Sequence, residues 1–221
     1  MPPLSQNIEG LRTHSLLVNT FIPDPEVSDE MRKWRSWLIH CLVKTARHYE
    51  EARSTIQAQI DEASRTSAEM AKGRGLPILD FAFAMEDCIT SLEKAVVCMN
   101  ALEKQGAMPG ARLHAMRFER EALNALRRQQ EHMHLQVAGG QTGEGPIFVT
   151  VSEDGEGMRF RKLSMSFIAL CGLIDAVYRD ISALYPKHAV DSPPTRGGAP
   201  VLSITATMEV ITSGNPTSGA A

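Results

Sequence analysis

Apolar residues recur along most of this chain at alternating three- and four-residue steps, the spacing of one helix face. Ser28 before Asp29 and Glu30 has the form of an N-cap with acidic first-turn residues. Trp34, Leu38, Cys41, Leu42, Thr45, Tyr49, Ala52, Ile56 and Ile60 then carry a stripe that fades between Ser64 and Lys72, predicting a first helix over about 28–70. A second helix, about 77–104, follows from Pro77 at its first turn and the stripe Phe81, Met85, Cys88, Leu92, Val96 and Met99. The third, about 111–138, aligns Met116, Leu123, Leu126, Met133 and Val137, which makes it the expected core helix. Gly139 and Gly140 close it.

Period two then replaces period 3.6. Ile147, Val149 and Val151 alternate, Glu153 to Gly157 supplies turn chemistry, and Met158 to Arg161 returns, predicting a β-hairpin over 146–162. Ser164 or Ser166 caps a fourth helix, about 164–185, whose Phe167, Leu170, Cys171, Ile174, Val177, Ile181 and Leu184 share one face. Amphipathic helices of this kind cannot bury their stripes singly. The predicted fold class is all-α: a four-helix bundle over 28–186 with the hairpin inserted between its third and fourth helices. An N-terminal arm, 1–27, precedes it, with Pro23 and Pro25 interrupting regular structure. A Pro-, Gly- and Ser-rich tail, 187–221, follows, and the alternation of Leu202, Ile204, Ala206, Met208 and Val210 predicts a short C-terminal strand over 201–211.

Composition narrows the function classes. The 221 residues are 43% hydrophobic, enough for one sizeable core. A net charge of −3 supplies no global field to hold nucleic acid, so a polyanion would have to meet a local patch. Cys41, Cys88, Cys98 and Cys171 are scattered on predicted helices without zinc-finger spacing, and read as free core thiols. No apolar run approaches the roughly 18 residues of a membrane span, and the start lacks the basic and apolar regions of a leader. A cytoplasmic protein without membrane contact is expected.

The candidate chemistry sits on the third helix, in the run Leu126-Arg127-Arg128-Gln129-Gln130-Glu131-His132-Met133-His134. Two arginines, a glutamate and two histidines within two turns is a costly concentration of charge for a segment that buries a face. Arginine binds phosphate bidentately and histidine titrates near neutrality, a pairing suited to RNA cleavage by its own 2′-hydroxyl. Helix geometry leaves the partner open: Arg127 and His134, seven apart, diverge by about 20°, whereas Arg127 and His132, five apart, diverge by about 140°. His132 pairs better with Arg128, four before it.

The R-x4-H spacing of Arg127 and His132, the Gly-rich turn, the hairpin Ile147 to Gly155 and the closing helix together resemble bacterial members of the HEPN superfamily. The resemblance covers about residues 28–186. It implies a homodimer whose R-x4-6-H motifs face each other and, in active members, cleave RNA without a metal or cofactor; other members are inactive. Carried over, the catalytic pair would be Arg127 and His132, with His134, Arg128, Glu131 and Glu86 in support. Two positions depart from the family pattern: Arg128 stands where Asn, Asp or His is usual after the arginine, and His134 where an acidic residue is frequent.

The same cluster also reads as a solvated helix face of i,i+4 pairs, Arg127 with Glu131 and Arg128 with His132. Glu86 and Asp87 on the second helix could orient an arginine or histidine across the bundle, or simply form its wet edge. Two functions are therefore expected. One is a metal-independent endoribonuclease or a degenerate relative of one; the alternative is a non-catalytic interaction module in which the third helix serves a dimer interface and the hairpin or tail docks a protein partner.

Overall fold

The computed structural model describes residues 1–21, 25–64, 66–70, 79–108 and 111–185, and the expected C-terminal strand over 201–211 lies outside them. The chain is mostly helical with a small three-stranded antiparallel sheet. The expected arm begins with a helix instead: α1 spans Ile8–Leu16 and runs into a π-helical turn, Leu17–Phe21. Asn7 caps it, its Oδ1 accepting from Gly10 N at 3.0 Å, and Ile8 and Leu11 are buried. The segment before it is also tied down. Leu4 N donates to Glu50 Oε1 at 3.2 Å, and Tyr49 Oη donates to the Pro2 carbonyl at 2.8 Å.

α2 spans Asp29–Ala63, with Ser28 Oγ accepting from Met31 N as its N-cap. It ends short of the expected 70 because a new helix starts behind it. Thr66 and Glu69 exchange side-chain and backbone hydrogen bonds in a capping box that opens the one-turn α3, Ser67–Met70.

α4 spans Asp80–Lys104, and it, not the third predicted helix, occupies the centre. Ala82, Ala84, Ser91 and Ala95 are buried beside its large apolar residues, so α2 packs closely along one side while two later helices, over 117–138 and 167–182, cover others. Between its exposed end residues Asp80 and Lys104, only Phe83, Asp87, Lys94 and Val97 are exposed.

The third predicted helix is broken. α5, Ala111–Ala115, and α6, Arg117–Ala138, meet at Met116, whose φ of −106° and ψ of 41° leave the helical region. The buried carboxylate of Asp180 pulls α5 out of line by accepting from Leu113 N at 3.1 Å. Of the expected core stripe on α6, Leu123 and Leu126 are buried, Met116 and Met133 half-buried, and Val137 exposed.

The expected hairpin is one half of a meander: β1 (Thr150–Val151), β2 (Gly157–Phe160) and β3 (Leu163–Ser166) in that order. A turn with Gly155 at φ +73° joins the first pair. β3 takes the residues expected to open the fourth helix, so α7 spans Phe167–Ser182 with Ser166 Oγ capping it through Ala169 N at 3.1 Å. The core joins α1, α2, α4, α7, the inner side of α6, Val149 just before β1, and the sheet residues Met158, Phe160 and Met165. Cys41, Cys88 and Cys98 are buried and Cys171 half-buried, all as free thiols. No helix among the described residues is long and apolar enough to cross a membrane.

Candidate functional site

α4 and α6 face each other through a polar seam whose α4 members recur every seven residues. On α4 it comprises Glu86, Glu93 and Asn100; on α6, running the other way, Gln130, Arg127 and Arg120. Gln130 Nε2 donates to Glu86 Oε2 at 3.3 Å, Arg127 Nη1 lies 2.8 Å from Glu93 Oε2, and Arg120 Nη2 donates to Asn100 Oδ1 at 2.7 Å. Two turns of α4 separate successive rungs, while on α6 Gln130 lies less than one turn from Arg127 and Arg120 two turns from it.

Arg127 sits in the middle rung. Its other terminal nitrogen, Nη2, donates to Glu131 Oε1 at 2.6 Å, so one guanidinium is shared by two carboxylates. The Glu93 side chain is 8% exposed and that of Arg127 26%. Glu93 is thus a buried anion whose neighbouring cation is Arg127. Glu86 lies deeper than an ordinary surface carboxylate: burial pushes its carboxyl up, against the hydrogen bonds from Val149 N and Gln130, and the Asp87 charge adds to the rise.

The remaining candidates are not drawn into this seam. Arg128, His132 and His134 are exposed and make no hydrogen bond or ion pair among the described residues. His132 projects from α6 about 140° away from Arg127, and His134 lies along the Arg127 direction nearly two turns farther on. The structure therefore brings Arg127, Glu131 and Glu93 together, and Glu86 with Gln130, while both histidines stay in solvent.

Beside the seam lies a groove of about 650 Å³ lined by Glu93, Asn100, Arg117 and Arg120 among others. Its charge is mixed. Arg117 Nε pairs with Glu121 at 2.8 Å, and His114 bonds Glu103. Arginines matched in this way do not create the positive field that concentrates a polyanion. Among the described residues no group of three or more His, Cys, Asp or Glu side chains converges as a metal site would require.

Glu93, Asn100 and Arg120 escaped the sequence reading. Their signal is the seven-residue repeat Glu86, Glu93, Asn100 on one helix answered by Arg120 and Arg127 on another. A scan of protein-family models and searches of curated proteins and of solved structures give no match to this chain.

Proposed function

We propose that this chain is a HEPN-like helical bundle of degenerate type, a non-catalytic interaction module that pairs with a second copy of itself through α6. The observation that carries this reading is the Arg127 guanidinium, held between Glu93 and Glu131 and turned away from His132. An arginine neutralised twice has little charge left for a phosphorane.

The outer surface of α6 supports the pairing. Phe118 is 81% exposed, Leu135 59%, and Val137 about half, on a helix that buries only two residues. Ile147 and Phe148 are also exposed, in the segment leading to β1. Large apolar side chains left in water favour a partner that covers them. The same outer surface carries Arg117, Glu121, Arg128 and Glu131, charges of both signs that can match themselves across a two-fold axis.

The test measures mass in solution for the wild type, Leu135→Glu and Phe118→Ser, with circular dichroism as the check on folding. A dimeric wild type that either substitution converts to folded monomer supports the reading. A monomeric wild type, or a dimer indifferent to both, overturns it.

An active ribonuclease is the second reading, favoured by the exposure of Arg128 and His132 one turn apart on one flank of α6. Two such pairs meeting at a dimer axis would bring two cations and two imidazoles to a phosphate. Incubating total and transfer RNA with the protein in excess EDTA separates the two readings. Cleavage abolished by Arg128→Ala and His132→Ala establishes the nuclease; intact RNA leaves the interaction module.

A further inference from the structure

The outer flank of α2 carries Lys33, Trp37, His40 and Arg47, all exposed and spaced so that they follow one line along the helix. Trp37 is 47% exposed, and its ring stacks on that of His40 with centroids 5.4 Å apart. Beside this line, α1, the π-helical turn and α2 bound two adjoining hollows of about 500 and 550 Å³. Leu16, Ile39 and Val43 line the first and Trp37 the second, and the two share Asn19, Ser36 and His40. Leu16 is 52% exposed. Two large apolar side chains on one concave surface thus stand half in water, a condition that a covering segment relieves.

The described chain ends against the same surface. Tyr185 Oη accepts from Asn19 Nδ2 at 3.0 Å, the Tyr185 ring meets that of His14 edge-on at 6.1 Å, and the Arg35 guanidinium lies 5.8 Å over it. The residues that follow therefore start from beside the two hollows. Among them one stretch, 201–211, is strongly apolar, with Leu202, Ile204, Ala206, Met208 and Val210 at alternate positions and Glu209 as its single charge. It brings no cation to repel Lys33 and Arg47. The connection, 186–200, is rich in proline and glycine and has an r.m.s. reach of about 20 Å as a flexible chain. The line from Lys33 to Arg47 is about 21 Å long, so the reach matches the target. A tether matched to its span holds its end at an effective concentration of about a millimolar, which populates even a weak contact. The sheet offers less: β1 has two residues, and the N–H of Val149 before it already points to Glu86 Oε1 at 3.5 Å.

We infer that the segment 201–211 folds back within its own chain onto α1, the π turn and the outer flank of α2, its alternating apolar side chains covering Leu16 and Trp37. An extended chain spans 21 Å in about six residues, so about three of the five apolar positions meet the surface. The tail is then a built-in occupant that any partner for this face must displace. The inference uses no feature of α6 and stands apart from the pairing proposed there.

The experiment places a benzoylphenylalanine photo-cross-linker at Ile204 of the full chain and irradiates a mixture of isotope-labelled and unlabelled protein. Cross-links to peptides from 12–20 and 33–47, joined within one chain, are expected. In parallel, Ile204→Lys combined with Met208→Lys sets two cations against Lys33 and Arg47. Tryptophan emission then moves to longer wavelength and its quenching by acrylamide rises, with circular dichroism unchanged, and adding Trp37→Phe abolishes both changes. Cross-links chiefly to 117–138 or to the sheet, cross-links between labelled and unlabelled chains, no cross-link at all, or emission indifferent to the double substitution would overturn the inference.

Discussion

Arg127 lies 2.8 Å from Glu93, and of the two it is the glutamate that is out of reach of water. The pair's stability value follows from that asymmetry. Truncating one partner of a fully buried pair costs about 3–5 kcal/mol, and the partial exposure of Arg127 brings Arg127→Ala down to about 1–3 kcal/mol. Arg128→Ala stays within about 0.5 kcal/mol of wild type. Replacing both members by leucine recovers most of the loss, because no charge is then left uncompensated. Urea unfolding of the four proteins checks this ordering.

Glu86 predicts a pH dependence of opposite sign to that of a salt-bridged carboxylate. Its folded carboxyl holds the proton to higher pH than the unfolded one, whose ordinary value is 4.5. Its contribution is therefore greatest below 4.5 and declines as pH rises from there through the raised folded value. Asp180, also raised by burial, adds a decline of the same sign that starts from 3.8. Glu86→Gln keeps an acceptor for Val149 N and Gln130 and carries no charge to desolvate, so it flattens the Glu86 part of the profile. Denaturant midpoints measured from acid to neutral pH compare the two proteins.

Tyr49 anchors the first residues of the chain. Its hydroxyl donates to the Pro2 carbonyl at 2.8 Å and lies 2.8 Å from Cys171 Sγ, inside a fully buried side chain. Tyr49→Phe removes both contacts at constant shape and costs about 1 kcal/mol. The loss should be local as well as global. Limited proteolysis ahead of α1 is expected to speed up more than cleavage elsewhere.

Gly157 is needed for close approach rather than for an unusual dihedral. A Cβ there would come within 2.6 Å of the Met165 carbonyl oxygen and 3.0 Å of Ser166 Cα, both backbone atoms of β3. Gly157→Ala therefore forces β2 and β3 apart next to the cap of α7, at about 1–3 kcal/mol. A lowered thermal midpoint with helical content retained would be the signature.

Local chemistry was readable and long-range choice was not. Ser28 could be identified as a cap, and the cap of α7 narrowed to Ser164 or Ser166, because a cap is written within four residues. Leu163 to Ser166 could not be separated from the helix after it, since a four-residue strand has too few positions to establish its period. Leu11 and Ile8 were missed because α1 buries so few residues that its stripe barely repeats. The core helix was misplaced for a different reason. An apolar stripe reports that one face is buried, but the alanines and Ser91 that let α4 accept neighbours on several sides lie outside its stripe. The candidate cluster suffered in the same way: Arg127 to Glu131 is a four-residue relation, while Glu93 is a partner that only the packing of two helices reveals.

The length of α2 has a mechanical consequence. Its 35 residues make a rod of about 50 Å, yet none of its side chains beyond Ala52 is buried. The inner part is clamped by α4, whereas in the outer roughly three turns Ile56 packs half-buried on the core, Arg53 donates to the Met1 carbonyl, and the rest are same-helix contacts such as Gln57 to Asp61 and Thr55 to Glu51. Such contacts contribute a few tenths of a kcal/mol each. One continuous helix thus spans two melting regimes: amide protons near Tyr49 exchange only when the whole molecule opens, and those near Ile60 exchange by fraying from the end.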